Sequence, residues 1–450
     1  MWRKAVETTD IPQQDPRATF TPELRHAADP AALINKAGSA AKTPEARNCP
    51  EIDLLVVSAR TVMDSETTER LKSILAEDLD WEILLEEVWR HGTLPQLYWS
   101  LTNVGWENVP DAARSRITGE FQKLVWRNLS LTRELVKLLQ LLEMQGIQAL
   151  PFKGPVLAAS IYGDVSLRFF CDLDILVRES DVSRAKDVLL SQGYKMPARF
   201  EDPHQTVRFL SRKKDYKFIN EKAHTVVELH WRFTGKRFFS SIDTGRIWGR
   251  LERIPFAGTT VFNIPPDDLL LLLCVHGGKH CYERLQWVCD IAELIRVNQN
   301  LEWARIYERA CTMGCERMLS LGLWLNNELL GAPLPEEILL RINADPASLS
   351  LATEMGSPFL RKVDRSGKSS RVNGFHVMNA FHIKMRERLR DKVRLAAYYG
   401  LRSVQISVRP GKQDRALLPL PRFLSFLHYV FRPIRLITKY GLKSFMGRRL

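Results

Sequence analysis

From about residue 51 to 146, apolar residues recur every three or four positions, as in DWEILLEEVWRHG and SLTRELVKLLQLLEMQGI. That spacing predicts helices, and Gly146 is placed to cap the second of them at its C-terminus. Between 147 and 233 the period changes. IQALPF is short and apolar and runs into Lys153-Gly154-Pro155. PVLAASIYG follows as a helix with Pro155 in its first turn, where the missing N–H costs nothing. DLDILV is a strand by length and composition. SDVSRAKDVLLSQGY reads as a helix opened by Ser180 or Asp181 and closed by Gly193. VRFLSRKKDYKFINE and TVVELHWRF read as two antiparallel strands joined near Glu221–Ala223. From 265 to 345 the helical period returns in IPPDDLLLLLCVHGGKH, ERLQWVCDIAELIRV and LEWARIYERACTMG.

The fold class is therefore α+β. A small mixed-sheet core at 147–264 is flanked by helical regions at 51–146 and 265–345. Residues 1–50 are rich in Pro, Ala, Thr and charge without a steady period, and are expected to be disordered. Residues 346–375 are expected to be a loop. The remainder of the 346–450 segment is basic and partly helical, with FLSFLHYVFRPIRLITKYGL mixing aromatic, apolar and cationic residues.

Composition refines this picture at one end of the chain. Of the net charge of +13, residues 351–450 carry +17, with 22 Lys or Arg against 5 Asp or Glu, and residues 1–350 sum to −4. A partner attracted by charge, RNA or an anionic membrane surface, belongs to the C-terminal segment; the plainer role is an amphipathic helix packed on the protein itself. The seven cysteines are odd in number and lack C-x-x-C spacing, and the N-terminus lacks the apolar stretch of a signal peptide. A reduced, cytoplasmic protein is the expectation. No window of about 18 uncharged apolar residues is present, so no transmembrane span is expected.

The chemistry concentrates in the core. Strand side chains alternate, so Asp172 and Asp174 share one face while Leu173 and Ile175 take the other. Two close carboxylates repel unless a cation lies between them. Glu228 sits in a second strand, between Val227 and Leu229, and would complete a divalent-metal site if that strand lies beside DLDILV. Magnesium, or manganese, suits such oxygen ligands and takes substrate phosphates as co-ligands. Nucleotidyl transfer from an NTP fits the set, since metal ions can hold the α-phosphate and lower the pKa of an acceptor hydroxyl. Lys153 and Gly154 stand where a strand runs into a helix, a place for phosphate, and Arg168 is a second cation for it. His230 shares the Glu228 face, and its two readings are contact with substrate and a hydrogen-bonded structural role. His276 and His280 share a helix face, and contact with substrate or packing around ERLQWVCD are the two readings for them.

The run KGPVLAASIYGDVSLRFFCDLDILV followed by VVELHW resembles the nucleotidyltransferase superfamily that includes DNA polymerase beta, and more closely a bacterial group known as uncharacterised nucleotidyltransferase family proteins. The pattern is met at Lys153, Gly154, Arg168, Asp172, Asp174, Glu228, His230 and Trp231, with His276, His280, Arg284, Leu285, Trp287 and Asp290 in order downstream. The resemblance covers about residues 50–340. It implies an enzyme in which Asp172, Asp174 and Glu228 bind metal, Glu228 or the metal activates the acceptor, and Lys153, Gly154 and Arg168 hold the nucleotide. The chain departs from the usual Gly-Gly or Gly-Ser element: it has Gly154-Pro155, with 17 residues between Gly154 and Asp172. Toxin-like nucleotidyltransferases of abortive-infection systems also carry Lys-Gly with a longer spacing. The acceptor is open among a small molecule, RNA such as tRNA, and protein. The remaining alternative is a nucleotide-binding scaffold without turnover.

Overall fold

The computed structural model describes residues 49–196, 214–235, 242, 244–352 and 375–440. The expected disorder of 1–50 and the first part of the VRFLSRKKDYKFINE strand lie outside these residues, except that Pro50 already opens a helix. Five helices precede the sheet: α1 Pro50–Val57, α2 Ser65–Leu75, α3 Trp81–His91, α4 Leu94–Val104 and α5 Asp111–Met144. Local chemistry sets their ends. The Asp80 carboxylate accepts from the N–H groups of Glu82 and Ile83, capping α3, and Gly92 closes it at φ 72°. At the end of α5, Ile147 N donates to Leu142 O and Gly146 N to Glu143 O. This is the left-handed glycine cap that the sequence predicts there.

The order strand, helix, strand, helix, strand, strand then appears as read: β1 Ala149–Pro151, α6 Gly154–Leu157, β2 Leu173–Val177, α7 Val182–Ser191, β3 Asp215–Asn220 and β4 Thr225–His230. The four strands form one mixed sheet in the order β1-β2-β4-β3. β1 is antiparallel to β2, β2 is parallel to β4, and β3 is antiparallel to β4. The Asn220 carboxamide oxygen accepts from Lys222 N and Ala223 N, which makes the β3–β4 turn.

The two faces of the sheet differ. Leu173, Ile175, Phe218, Val227 and Leu229 pack with Leu135, Leu138 and Leu142 of α5 and Val182 and Leu189 of α7. Leu150, Phe152 and Leu176 face the other way and join a larger core with Leu269 and Leu273 of a later helix. β2 is thus covered on both sides, which is why its sequence is nearly continuously apolar. Each such fully buried aliphatic side chain contributes about 1.5–3 kcal/mol. The carboxylates lie on the second, helix-covered face.

After the sheet come α8 Thr244–Trp248, the hairpin β5 Glu252–Phe256 and β6 Thr259–Asn263, and then α9 Pro266–Lys279, α10 Gln286–Val297, α11 Trp303–Met313, α12 Glu316–Leu330 and α13 Glu336–Asn343. The hairpin is a feature the sequence analysis did not place. Its turn, Ala257 at φ 45° and Gly258 at φ 77°, is the left-handed two-residue kind that joins antiparallel strands. The expected loop at 346–375 is also not a loop at its start: residues 346–352 are helical. Asp345 is the reason, since its carboxylate accepts from Ala347 N and from the Ser348 hydroxyl, a side-chain cap. The basic segment contains α14 Phe375–Lys384, α15 Leu389–Val408, α16 Lys412–Leu417 and α17 His428–Tyr440. Among the described residues no helix is long and apolar enough to cross a membrane.

Candidate functional site

The segment leading into β2 is fixed by side chains from distant helices. The Gln96 amide of α4 donates to Leu167 O at 2.8 Å, and the Asn128 amide of α5 to Val165 O and Arg168 O at 2.7 and 2.9 Å. The Gln286 amide of α10 donates to Phe169 O at 2.6 Å. Arg168 itself is 6% exposed, and its Nε and Nη2 donate to the two oxygens of Asp290, each at 2.8 Å. The Tyr162 hydroxyl donates to the same carboxylate at 2.9 Å. The sequence analysis gives Arg168 to phosphate; its guanidinium is instead committed to Asp290 on α10. Arg168 clamps the sheet to the following helices; burial works against its charge, but Asp290, with smaller contributions from Tyr162 and Asp174, raises its pKa.

Register brings the carboxylates together. In the parallel β2–β4 ladder Asp174 lies beside Glu228, and Leu176 beside His230. The His230 Nε2 is 2.8 Å from the nearer Asp174 oxygen and 3.4 Å from Glu228. Asp174, Glu228 and His230 each offer a ligand atom, and all of these atoms lie within 4.8 Å of one another. Asp172, in the residue just before β2, is outside this tight trio, whereas His230 is inside it. The physical reason is the ladder: the side chain two residues past Glu228 falls on the same face and over Asp174.

The charges interact strongly. Burial, and then the Asp174 and Glu228 carboxylates, push Asp172 up to about 6. Burial also opposes ionisation of Asp174, but Lys153, the His230 hydrogen bond and Lys214 together hold it well below the usual carboxylate range. The hydrogen bond to His230 holds Glu228 down as well, against burial and Asp174. Just before β3, Lys214 contacts Asp215 and lies 3.4 Å from the other His230 nitrogen.

Lys153 stands at the other side of the cluster. It caps α6, and the backbone turns at Gly154 with φ 57°; a Cβ there would lie 3.3 Å from the Asp172 carbonyl oxygen. Glycine is needed both for the left-handed conformation and for the close approach. The expected helix PVLAASIYG begins at Gly154, continues as a π-helical turn over Ala158–Tyr162 and ends at Gly163. The Lys153 Nζ is 3.4 Å from His276 Nδ1 and 5.2 Å from the centre of the Phe152 ring.

His276, in α9, and His280, at its C-terminal cap, meet with ring centres 4.8 Å apart and ring planes tilted by 58°, and both pack on Trp287 of α10. Burial lowers His276 well below its ordinary value, and takes His280 down to about 3, with Lys279 and Lys153 adding to it. Both imidazoles are thus neutral near pH 7, apolar walls with one lone pair turned to Lys153. Lys279 is held near 8 by burial, Lys214 and Lys153. Lys214, Asp215 and Lys279 were not singled out from the sequence. A signal for Asp215 was available, since the antiparallel β3–β4 register sets it opposite His230.

The arrangement is a cleft wall of carboxylates on a rigid sheet, faced by lysines and neutral histidines. It can hold a divalent cation and an anionic phosphate chain side by side. Residues 77–331, which include every residue described for the site, match the model of a family described as uncharacterised nucleotidyltransferase. No curated protein and no solved structure matches the chain.

Proposed function

Because the chain belongs to the uncharacterised nucleotidyltransferase family, we propose that it moves a nucleoside monophosphate from an NTP to an acceptor hydroxyl with a divalent metal, Mg²⁺ or Mn²⁺. The observation that carries the reading is the side-by-side pairing of Asp174 and Glu228, with Asp172 raised to about 6 beside them. Burial does most of this and the two neighbouring carboxylates add to it; close, partly buried carboxylates are a donor set that a hard cation takes. Asp172, Asp174 and Glu228 would hold it, with His230 orienting Asp174 and Glu228. Such a cation supplies charge neutralisation at the phosphates.

The chain's own residues do the rest. Lys153, on the Gly154 turn, holds the β- or γ-phosphate. His276 keeps the Lys153 amine in place, and His280 and Trp287 shut water out behind it. The acceptor oxygen forms its bond to the α-phosphorus while the bond from that phosphorus to the bridging oxygen breaks and pyrophosphate leaves. The hydroxyl proton passes to a carboxylate of the cluster, Glu228 in this reading. Arg168 acts only by positioning β2. The test is pyrophosphate release from each NTP with Mg²⁺, comparing wild type with Asp174→Asn; equal rates sink the assignment. NTP binding without product across acceptors favours a scaffold instead.

A second reading, RNA as acceptor, is favoured by the excess of Lys and Arg in the C-terminal segment. Removal of residues 376–450 should then weaken tRNA binding, and that binding should fall steeply with salt. A salt-insensitive complex excludes this reading.

A further inference from the structure

α15 turns most of its aliphatic residues away from the protein. Its N-terminus is fastened by Arg388, whose guanidinium donates to Cys311 O and Thr312 O at the end of α11. Leu395 is 3% exposed, and the Tyr399 hydroxyl lies 2.7 Å from His382 Nδ1 on α14. The other nitrogen of His382 is 2.9 Å from Lys279 O, so the helix is tied to the end of α9 that carries Lys279. These groups take one side of α15. At about 100° per residue, Leu389, Val393, Ala397, Leu401 and Val404 span about 120° of the opposite side. All five are exposed, the four larger ones at 75%, 59%, 72% and 62%. Single exposed aliphatic residues are ordinary; a stripe of them along a 20-residue helix is not. α17, which packs on α15, repeats the inversion. Arg432 and Arg435 turn inward to the buried Asp414 carboxylate, while Tyr429, Val430 and Ile434 are more than half exposed.

Charge says what covers the stripe. α15 has four Lys or Arg against one Asp. Arg390 and Arg394 stand exposed at one edge of the stripe. The carboxylate beside Arg390 is Asp391 at 3.7 Å, an exposed pairing that contributes little. We propose that this face docks on an anionic phospholipid surface. The helix lies in the plane of the headgroups, with Leu389, Val393, Leu401 and Val404 at the acyl boundary and Arg390 and Arg394 on lipid phosphates. A helix with one apolar face and cations at its rim is the form that settles at this interface. Among the described residues no helix is long and apolar enough to cross a membrane, so the contact is with the surface. An RNA backbone pairs with the cations but leaves the aliphatic side chains in water. A second copy of α15 brings the same positive charges against them. The inference does not rest on nucleotidyl transfer.

The experiment is flotation of the full chain with vesicles of phosphatidylcholine and phosphatidylserine in equal parts, beside vesicles of phosphatidylcholine alone and a titration with tRNA. Expected is binding to the mixed vesicles that falls as salt rises and is at least about tenfold weaker on phosphatidylcholine alone. Val393→Glu with Leu401→Glu should weaken the mixed-vesicle binding at least about tenfold through lost apolar burial. Arg390→Gln with Arg394→Gln should weaken it by a similar factor. All four side chains are exposed, so both variants should keep the wild-type melting temperature. Binding that survives the two glutamates overturns the inference, and so does equal binding to the two kinds of vesicle. Binding of tRNA without binding of the mixed vesicles assigns the cations to RNA and overturns it as well. A dimer in sedimentation equilibrium that the two glutamates split assigns the stripe to a second copy, with the same consequence.

Discussion

At the C-terminal end of α9, His276 and Lys279 face a group of carboxylates in which Asp172 is pushed up to about 6. At its N-terminal end, Asp268 faces Arg246, Arg250 and Arg309, and Arg309 keeps an unpaired N–H. Between them lies a third charged group, Arg168 with Asp290, in which donors and acceptors balance: two hydrogen bonds of 2.8 Å plus one from Tyr162. Burial of charge alone therefore does not mark a site here: the Arg168–Asp290 group pairs its donors and acceptors within the protein. In the proposed function it is the carboxylate cluster that takes a cation.

The balanced pair should give the largest effect on stability. Arg168→Met leaves Asp290 buried without its main partner and should cost about 3–5 kcal/mol, while the double change Arg168→Met with Asp290→Leu should recover most of it. Urea unfolding measures both. A loss below about 1 kcal/mol in the single variant, the scale of an exposed pair, would remove Arg168 from the role of clamp.

Next comes the carboxylate cluster. Asp174→Asn should reduce pyrophosphate release by about 100–1,000-fold, equivalent to about 2.7–4 kcal/mol of transition-state stabilisation, in a protein that stays folded although it loses the stability that Lys153, His230 and Lys214 lend the ionised carboxylate. A loss of activity accompanied by unfolding would place Asp174 with Arg168 as structure.

Asp172→Asn should do the reverse of most site substitutions and stabilise the metal-free protein, by about 1–3 kcal/mol at pH 7. The sign follows from linkage. The folded pKa, about 6, lies above the ordinary value of an aspartate, so ionisation opposes folding. The gain should be full above about pH 6 and vanish below about pH 4, where Asp172 is protonated in both states. Melting temperatures across this range measure it, and a gain that grows as pH falls would contradict the repulsion. The same substitution should weaken Mn²⁺ binding.

The smallest effect is expected at Gly154. Gly154→Ala places a Cβ in the left-handed region at about 1–2 kcal/mol, close to the Asp172 carbonyl. Protection of the protein by NTP in thermal melts should drop along with stability. Unchanged protection would mean that the turn does not shape a phosphate site.

Much of this architecture was legible because it is local. DLDILV and TVVELHWRF announce strands through length and period, and Asp172, Asp174, Glu228 and His230 are same-face carboxylates and imidazole within them. That β2 and β4 are parallel neighbours with Asp174 beside Glu228 is a matter of tertiary pairing, and so is the entry of His230 into the tight trio in place of Asp172. Arg168 shows the limit most clearly. Its partner Asp290 is 122 residues away, and no spacing rule connects them. The β5–β6 hairpin was missed for a different reason. Its turn is Ala257-Gly258 rather than an Asn-Gly or Asp-Gly pair, and only Phe256 and Val261 of its strand residues are buried, so apolar alternation is faint.

The π-helical turn at Ala158–Tyr162 has a consequence for how this chain can be altered. Such a turn holds one residue more than an α-helical turn, and one residue of helix corresponds to a rotation of about 100°. Tyr162 reaches Asp290 only with that rotation in place. Deleting a single residue from 158–161 would give a regular helix and better local hydrogen bonding, yet swing the tyrosine away from the clamp. In this stretch, then, length is constrained as well as identity: Ala158 is fully buried in the core, and the register cannot be shortened.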